Sequence, residues 1–227
     1  MNDAYGPLSV VVFGQFACFT QPEFSAERVS YPMMTPSAAR GTLEAIFWKP
    51  EFQWEIRQIH VLKPRPQFRI APERDSKSFY RHFSILRNEV GKKASSNGAP
   101  ISITDERQQR HSLILRDVEY LIHADVRLRP DVTDDPAKYR DQFQRRVKRG
   151  QSYHRPYLGC REFAANFEPA DGNEESRRFR HKESIPLGTM LFDIAYSPLG
   201  NQPVFFDAKL EDGILNVPAD LYGRLRA

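Results

Sequence analysis

Residues 35–62, TPSAARGTLEAIFWKPEFQWEIRQIHVL, contain a helix pattern followed directly by a strand pattern. Thr35 is a residue type that caps helix N-termini, and Pro36 suits the first helical position. Apolar residues then recur on one helical face, at Ala39, Leu43, Ile46 and Phe47. We expect the helix to end before Pro50, and the alternating apolar residues after it predict a strand over 52–62.

The sequence on either side extends this helix–strand unit. Residues 8–19, LSVVVFGQFACF, are rich in β-branched and aromatic residues and predict a strand before the helix. The polar, proline-containing segment around 63–107 indicates an inserted arm, and residues 112–128 predict another strand or strand pair. A second helix begins at Pro136. With one final strand this order becomes β-α-β-β-α-β, the ferredoxin-like plan that RNA-recognition motifs share.

The last third of the chain has a different pattern, with strands and few helix signals. Residues 188–196 and 204–210 predict antiparallel strands, and Asp212-Gly213 is a strong turn signal for a hairpin. We therefore predict an α+β protein with two parts. Residues 1–150 form a ferredoxin-like (RRM-like) domain with the arm around 63–107, and residues 151–227 form a smaller antiparallel β-rich region.

Composition excludes several classes of protein. The chain has 227 residues, of which 40% are apolar, but no stretch approaches the roughly 20 apolar residues that a membrane span needs. Its N-terminus has no secretory signal pattern, and the two cysteines, Cys18 and Cys160, show no metal-binding or disulfide-ladder spacing. We expect a cytoplasmic protein with reduced thiols, no cofactor, no metal site and no membrane contact.

Positive charge is concentrated in one segment between Lys138 and Arg161. The segment holds eight basic residues and one acid, so it carries a net charge of +7, whereas the whole chain carries only +4. The basic residues are Lys138, Arg140, Arg145, Arg146, Lys148, Arg149, Arg155 and Arg161. Such a local excess is typical of proteins that bind phosphate groups of nucleic acids.

The helix from Pro136 allows two interpretations. Tyr139, Phe143 and Val147 form its apolar stripe, and Asp134 or Asp135 caps its start. The basic residues on its other faces are then either a solvated face that complements the helix dipole or an RNA-binding surface. The charge reappears at residues 177–182, which the dipole does not explain. The aromatic residues interleaved with the basic ones, which are suited to stack on unpaired bases, are Tyr153, Tyr157 and Phe179. The second charged stretch and these aromatic residues together favour the RNA-binding interpretation.

Several strings resemble one known family. They are GQFACFTQPEF (14–24), ERVSYPMMTPSAARGTLEAIFWKP (27–50), LRNEV (86–90), GQSYHRPYLGCREF (150–163), LGTMLFDI (187–194) and LEDGI (210–214). Together they are similar to the CRISPR-associated Cas family 5 proteins of subtype I-C, also called Dvulg or subtype D. The resemblance extends over most of the chain.

The resemblance implies a function and partners. Family members cut precursor CRISPR RNA at the base of each repeat hairpin without metal. They then remain on the 5′ handle of the mature guide RNA as a subunit of the interference complex. The implied partners are therefore crRNA with its repeat hairpin, the family 7 backbone subunits and the family 8 large subunit. The basic segment also suits duplex DNA as a further partner.

The resemblance also implies an active site, which this sequence retains only in part. The family has a tyrosine before the WKP motif and an adjacent lysine–histidine pair at the start of the second helix. Here those positions hold Phe47, Lys138 and Tyr139. Lys138 is able to stabilise charge on the phosphate, whereas Phe47 transfers no proton. The remaining candidates for acid–base chemistry are His111, which enters the third predicted strand, and His154, which lies inside the basic segment.

The predicted site therefore has a catalytic and a binding set. The catalytic candidates are Lys138, Tyr139, the position of Phe47, His111 and His154. The RNA-binding candidates are Arg145, Arg146, Lys148, Arg149, Arg155, Arg161, Arg28, Trp48 and Lys49. Two other functions remain open: a subunit that holds the guide RNA without cutting it, and an unrelated basic RRM protein, which the WKP string disfavours.

Overall fold

The computed structural model describes residues 6–24, 27–63, 82–90, 107–197 and 200–225, which form eight strands and four helices. The strands are β1 Leu8–Ala17, β2 Phe52–Val61, β3 His82–Val90, β4 Arg107–Leu128, β5 Asn166–Pro169, β6 Ile185–Ser197, β7 Gly200–Glu211 and β8 Ile214–Asn216. The helices are α1 Pro36–Ile46, α2 Pro136–Lys148, α3 Glu174–Arg177 and α4 Leu221–Arg224. Most of the predicted arm, residues 64–81 and 91–106, lies outside the described residues.

Four strands form the predicted ferredoxin-like sheet. Their order is β5-β1-β4-β2, and every neighbouring pair is antiparallel. With α1 and α2 this is the β-α-β-β-α-β plan, so the predicted α+β fold class is confirmed. The final strand of the plan is β5, which lies after residue 150. The division of the chain into domains at that residue remains a prediction, because one sheet continues across it.

Strand β4 is much longer than its neighbours, with 22 residues. Its second half lies between β1 and β2, and its first half pairs with β3, from His82 opposite Leu115 to Val90 opposite Arg107. The part of the arm that the structure describes is therefore one strand of a hairpin, and residues 112–128 form a single strand.

Strand β2 contains an irregularity that explains its sequence pattern. The alternation of Phe52, Trp54 and Ile56 stops where the pairing with β4 shifts register between Ile56 and Gln58. The hydroxyl of Tyr222 fills this position, since it accepts from the backbone N–H of Ile56 and donates to its carbonyl. Tyr222 lies on α4, so the end of the chain stabilises the bulge.

The C-terminal strands extend the same sheet. β8 pairs with β2, β7 with β8, and β6 with β7. The predicted Asp212-Gly213 hairpin turn is confirmed, and both residues have positive φ, 47° and 79°. Strand β6 is attached to α1 by Arg40, whose Nε and Nη2 donate to the buried carboxylate of Asp193 at 2.6 and 2.8 Å.

The two faces of the ferredoxin-like sheet are covered differently. Val10 and Val12 belong to the main core beneath α1 and α2, whereas the intervening Val11 belongs to a small cluster with Leu62 and Leu121 on the opposite face. A segment around α3 lies at this second face and bonds to the end of β2, where Phe179 donates to the carbonyl of Val61 at 2.9 Å. Among the described residues, no helix is long and apolar enough to span a membrane.

Candidate nucleic-acid interface and active site

Helix α2 has the apolar stripe that its sequence predicts. Tyr139, Phe143 and Val147 are buried, and the side chain of Asp135 caps the helix by accepting from the backbone N–H of Ala137 at 2.9 Å. The stripe packs on the sheet, so the basic residues point elsewhere. The capping residue is Asp135, which leaves the carboxylate of the preceding residue for another role.

Phe47, at the position where the resemblance implies a tyrosine, has a fully buried side chain. Its ring centroid lies 5.4 Å from that of Phe52. The guanidinium of Arg146 lies over the Phe47 ring, 5.2 Å from the ring centroid. The backbone carbonyl of Phe47 accepts from the indole N–H of Trp54 at 2.9 Å. Phe47 is thus held rigidly, as part of an apolar wall.

The carbonyl groups at the end of α1 attach two basic elements to this wall. The carbonyl of Ala45 accepts from the backbone N–H groups of Tyr153 and His154, at 2.8 and 3.2 Å. The carbonyl of Ile46 accepts from Nη1 of Arg146 at 2.9 Å. These bonds satisfy helix-end acceptors and place the segment after α2 beside the loop between α1 and β2.

Asp134, Lys138 and Tyr139 form a cluster at the start of α2. One carboxylate oxygen of Asp134, Oδ2, accepts from the Lys138 ammonium at 2.7 Å and from the Tyr139 hydroxyl at 2.6 Å. The Tyr139 ring packs on Phe52 with 5.3 Å between centroids, which connects the cluster to Phe47. The Asp134 carboxylate raises the pKa of Tyr139 to about 12, so the phenol stays protonated at neutral pH.

Three aromatic side chains near this cluster are exposed. Trp48 is 52% exposed and Tyr153 is 77% exposed, whereas Tyr157 is exposed at 36%. Trp48 directly follows the buried Phe47, and Tyr153 is fastened through its backbone to α1. Exposed rings on a fixed backbone are suited to stack on the bases of single-stranded RNA.

Six basic residues, on α2 and in the segments that follow α1 and α2, form what we call the basic surface. They are Lys49, Arg145, Lys148, Arg149, Arg155 and Arg161. All six are exposed, and none makes an ion pair or a side-chain hydrogen bond with another residue that the structure describes. Their charges are therefore available to a polyanion.

Two other predicted RNA-binding arginines are already engaged. Arg146 is bonded to α1, as described above. The guanidinium of Arg28 donates to Glu162 and to the sulfur of Cys160, each at 3.2 Å, so it links two loops. Both remain predicted RNA contacts, but their side chains have structural partners in the absence of RNA.

The two candidate histidines lie in different places. His154 is exposed and its ring is 5.8 Å from that of Tyr153, beside the end of α1. His111 lies in the half of β4 that pairs with β3, opposite Leu86. Since a strand rises about 3.3 Å per residue, His111 is on the order of 50 Å along β4 from the end next to Phe52. His111 therefore lies far along β4 from Phe52, whereas the backbone of His154 bonds to the carbonyl of Ala45, two residues before Phe47.

The second basic stretch, which we call the paired cluster, consists of Arg177, Arg178 and Arg180. Arg177 bonds to the buried Glu119 on β4, and Arg178 bonds to Glu175 and Asp212, both at 2.7 Å. Arg180 bonds to Glu175 at 2.6 Å. The argument from charge at residues 177–182 therefore loses its support for these arginines, because each is paired with a neighbouring carboxylate. Phe179, predicted to stack on bases, is buried.

Asp134 is the residue of this site that sequence reasoning missed. Its sequence signals were its place before Pro136 and its four-residue spacing from Lys138, and both indicated only a helix cap or a surface ion pair. The hydrogen bond from Tyr139, which is five residues away and otherwise buried, became visible only in the folded chain.

Comparison with known proteins identifies the family of this chain. Residues 8–218 match the family Cas_Cas5d, described as "CRISPR-associated protein (Cas_Cas5)". A "CRISPR pre-crRNA endoribonuclease Cas5d" from Thermus thermophilus is 44% identical over 236 residues, covering 96% of this chain and 94% of the relative. The protein of that name from Mannheimia succiniciproducens is 39% identical over 224 residues, covering 91% and 92%.

A solved structure supports the fold independently. It is titled "Crystal Structure of CRISPR-associated Protein" and superposes with a TM-score of 0.66 at 22% identity. The superposition covers 94% of this chain and 92% of the other. At this identity the likeness establishes the shared fold.

Proposed function

The chain belongs to the Cas5d family of CRISPR-associated proteins, and from that premise we propose that it cleaves precursor CRISPR RNA at a site centred on Lys138. The substrate is the repeat hairpin, cut at its base. The observation that carries the proposal is the setting of Lys138, whose side chain is 61% exposed and which directly precedes Tyr139, a residue whose ring packs on Phe52 beside Phe47.

The chemistry is attack by a ribose 2′-hydroxyl on the adjacent phosphate. This reaction needs in-line geometry, a proton acceptor, charge stabilisation on the phosphate and a proton for the 5′-oxygen leaving group. Lys138 supplies positive charge where negative charge develops. The basic surface holds the phosphates on either side, and Trp48 and Tyr153 stack on unpaired bases. The cut leaves a 2′,3′-cyclic phosphate and a 5′-hydroxyl.

The assay that tests cleavage uses purified protein and repeat hairpin RNA in EDTA. We expect one discrete cut in the chelator, because every step is assigned to protein side chains and to the RNA itself. Lys138→Ala should abolish the cut, while Lys182→Ala, which removes an exposed lysine outside the basic surface, should cut normally. Intact RNA after incubation with the unaltered protein would contradict the proposal.

Product retention and assembly extend the proposal. After cleavage the basic surface keeps its phosphate contacts, so the protein stays on the 5′ handle of the guide RNA. It then joins an interference complex with family 7 backbone and family 8 large subunits, and the same surface accepts duplex DNA. Co-purification of this chain with crRNA and those subunits, lost when Arg145 and Arg149 are both changed to Gln, would support this step.

A second candidate function follows from the two altered positions. Phe47 is buried and has no proton to transfer, and Tyr139 is protonated and nearly inaccessible. A protein with this site is able to hold the guide RNA as a structural subunit while another nuclease matures it. Tight binding of the hairpin with no cut, in EDTA and in Mg²⁺ alike, would favour this role over cleavage.

A further inference from the structure

We propose that the carboxylate of Asp134 is the general base of the cleavage reaction, accepting the proton of the attacking 2′-hydroxyl. This inference rests on the endonuclease function proposed above and assigns the role that the altered positions leave vacant. Phe47 has no group that accepts a proton, and Tyr139 is held protonated by Asp134, so neither residue serves as the base.

The geometry favours Asp134 over the other carboxylate nearby. Asp134 has an exposed side chain, 41% accessible, and its Oδ2 lies 2.7 Å from the Lys138 ammonium. Its Oδ1 makes no hydrogen bond with any described residue and is open to a ligand. Glu51 also faces Tyr139, but its Oε2 is buried. A 2′-hydroxyl therefore has access to the Asp134 carboxylate, whereas Oε2 of Glu51 is closed to it.

The neighbours of Asp134 hold it in place. Tyr139 donates to it at 2.6 Å from a ring that is itself packed on Phe52, so one buried phenol fixes the carboxylate. The helix cap does not compete for it, because Asp135 makes that bond. Tyr139 is thus a positioning residue, which explains how a tyrosine serves at a position that is histidine elsewhere in the family.

The proposed step conserves atoms and charge. The 2′-hydroxyl proton moves to Asp134 as the O2′–P bond forms and the P–O5′ bond breaks. The Lys138 ammonium, beside the same carboxylate, gives a proton to the departing O5′. Solvent then removes the proton from Asp134 and restores the one on Lys138. Nothing is oxidised or reduced, and no further reactant is needed.

The first test compares two isosteric changes at adjacent positions. Asp134→Asn should slow single-turnover cleavage by about 10²–10⁴-fold, the usual contribution of a general base, with RNA affinity unchanged or higher. Asp135→Asn removes the same charge one residue later but keeps a good helix cap, so it should cut at nearly the normal rate. Asp134→Glu should recover part of the rate. Equal rates for the two Asn variants would overturn the inference.

The second test separates base from acid with a modified substrate. Sulfur in place of the scissile 5′-oxygen leaves without protonation, so this RNA should rescue Lys138→Ala while Asp134→Asn stays slow. Rescue of Asp134→Asn as well would remove the proton-acceptor role. Rescue is measured on RNA already bound to the protein, so it is independent of any loss of stability in either variant.

The third test is the pH profile. Hydrogen bonds from Lys138 and Tyr139 lower the pKa of Asp134 below its ordinary value. The carboxylate therefore stays ionised in mild acid, and cleavage should be constant from about pH 8 down to about pH 5, above the ordinary aspartate pKa. Charged groups facing it are Lys138 and, through Tyr139, Glu51. If His154 were the base, His154→Ala would abolish cleavage and Asp134→Asn would leave its rate nearly unchanged.

The two levels of the proposal fail in different ways. If the unaltered protein leaves the hairpin intact, the endonuclease function fails and the assignment of Asp134 fails with it. If the unaltered protein cuts and Asp134→Asn cuts equally well, only the assignment of the base fails.

Discussion

The basic surface and the paired cluster are both arginine-rich, but only the arginines of the paired cluster form ion pairs with carboxylates that the structure describes. The six residues of the basic surface are exposed and make no ion pair with described residues. The three arginines of the paired cluster bond to Glu119, Glu175 and Asp212. The first group lies around exposed aromatic rings, whereas the aromatic residue within the second, Phe179, is buried.

The difference shows that a count of basic residues does not identify a nucleic-acid interface. A carboxylate beside a cation offsets part of that cation's attraction for phosphate. The paired cluster instead fastens the segment around α3 to β4 and to the β7–β8 turn, where Asp212 accepts from both Arg178 and Arg180. Its charges are structural, and those of the basic surface are available for binding. Four variants test this contrast.

Arg177→Ala should have the largest effect, and on stability. It leaves the Glu119 carboxylate, whose side chain is only 1% exposed, without its arginine partner. Loss of one member of a buried ion pair typically lowers the free energy of unfolding by about 3–5 kcal/mol. Denaturant unfolding measures it, and Arg149→Ala on the basic surface should change stability by less than about 0.5 kcal/mol. Equal losses for the two variants would erase the contrast.

Tyr153→Ala should affect RNA binding and leave stability unchanged. A stacked base contributes about 1–3 kcal/mol by alanine substitution, which is the expected loss in binding free energy for repeat RNA. The matched control is Tyr196→Ala, since Tyr196 is comparably exposed, at 68%, but lies on β6. Filter binding or fluorescence anisotropy would measure both. A similar loss for Tyr196 would mean that RNA contacts the β6–β7 hairpin as well.

Changing Arg145 and Arg149 together to Gln should reduce the salt dependence of RNA binding. Each lost contact with a phosphate of single-stranded RNA lowers the slope of log K against log salt by about 0.7. We therefore expect a measurable flattening of the plot, by about 1.4 if each arginine contacts one phosphate. An unchanged slope would show that these two exposed arginines do not touch the RNA.

Arg180→Gln should have the smallest effect. Its ion pairs with Glu175 and Asp212 are exposed on both sides, and such pairs contribute about 0–1 kcal/mol to stability. RNA affinity and its salt slope should stay as in the unaltered protein. A loss of affinity comparable to that of an Arg145 variant would place the paired cluster in the RNA interface.

Local patterns in the sequence predicted the local structures well. The Thr35 side chain caps α1 by accepting from the N–H of Ala38, as its place before Pro36 indicates. Asp212 and Gly213 make the predicted turn, and a side chain on Gly213 would collide with the carbonyl of Phe179. These features depend on backbone conformation and residues close in sequence, which a pattern of a few residues expresses directly.

Contacts between distant residues were harder to predict. Strand β5 has only 4 residues, too few for a periodic signal, yet it completes the ferredoxin-like sheet by pairing with β1. The ion pair between Arg177 and Glu119 joins residues 58 positions apart. Nothing in either residue's neighbourhood in sequence indicates the other, because the pair forms only when β4 and the α3 segment meet.

The sequence alone determined the β1-α1-β2 unit, the buried stripe of α2 and the family, since each depends on residue type and spacing along the chain. The tertiary structure decided which arginines are free, that Phe47 lies in a buried wall, and that Asp134 joins Lys138 to Tyr139. The physical reason is that the electrostatic interaction between two charges depends on their distance in space and not on their separation in sequence. A basic residue binds RNA or stabilises the fold according to which carboxylates lie within a few ångströms, and only the folded chain sets those distances.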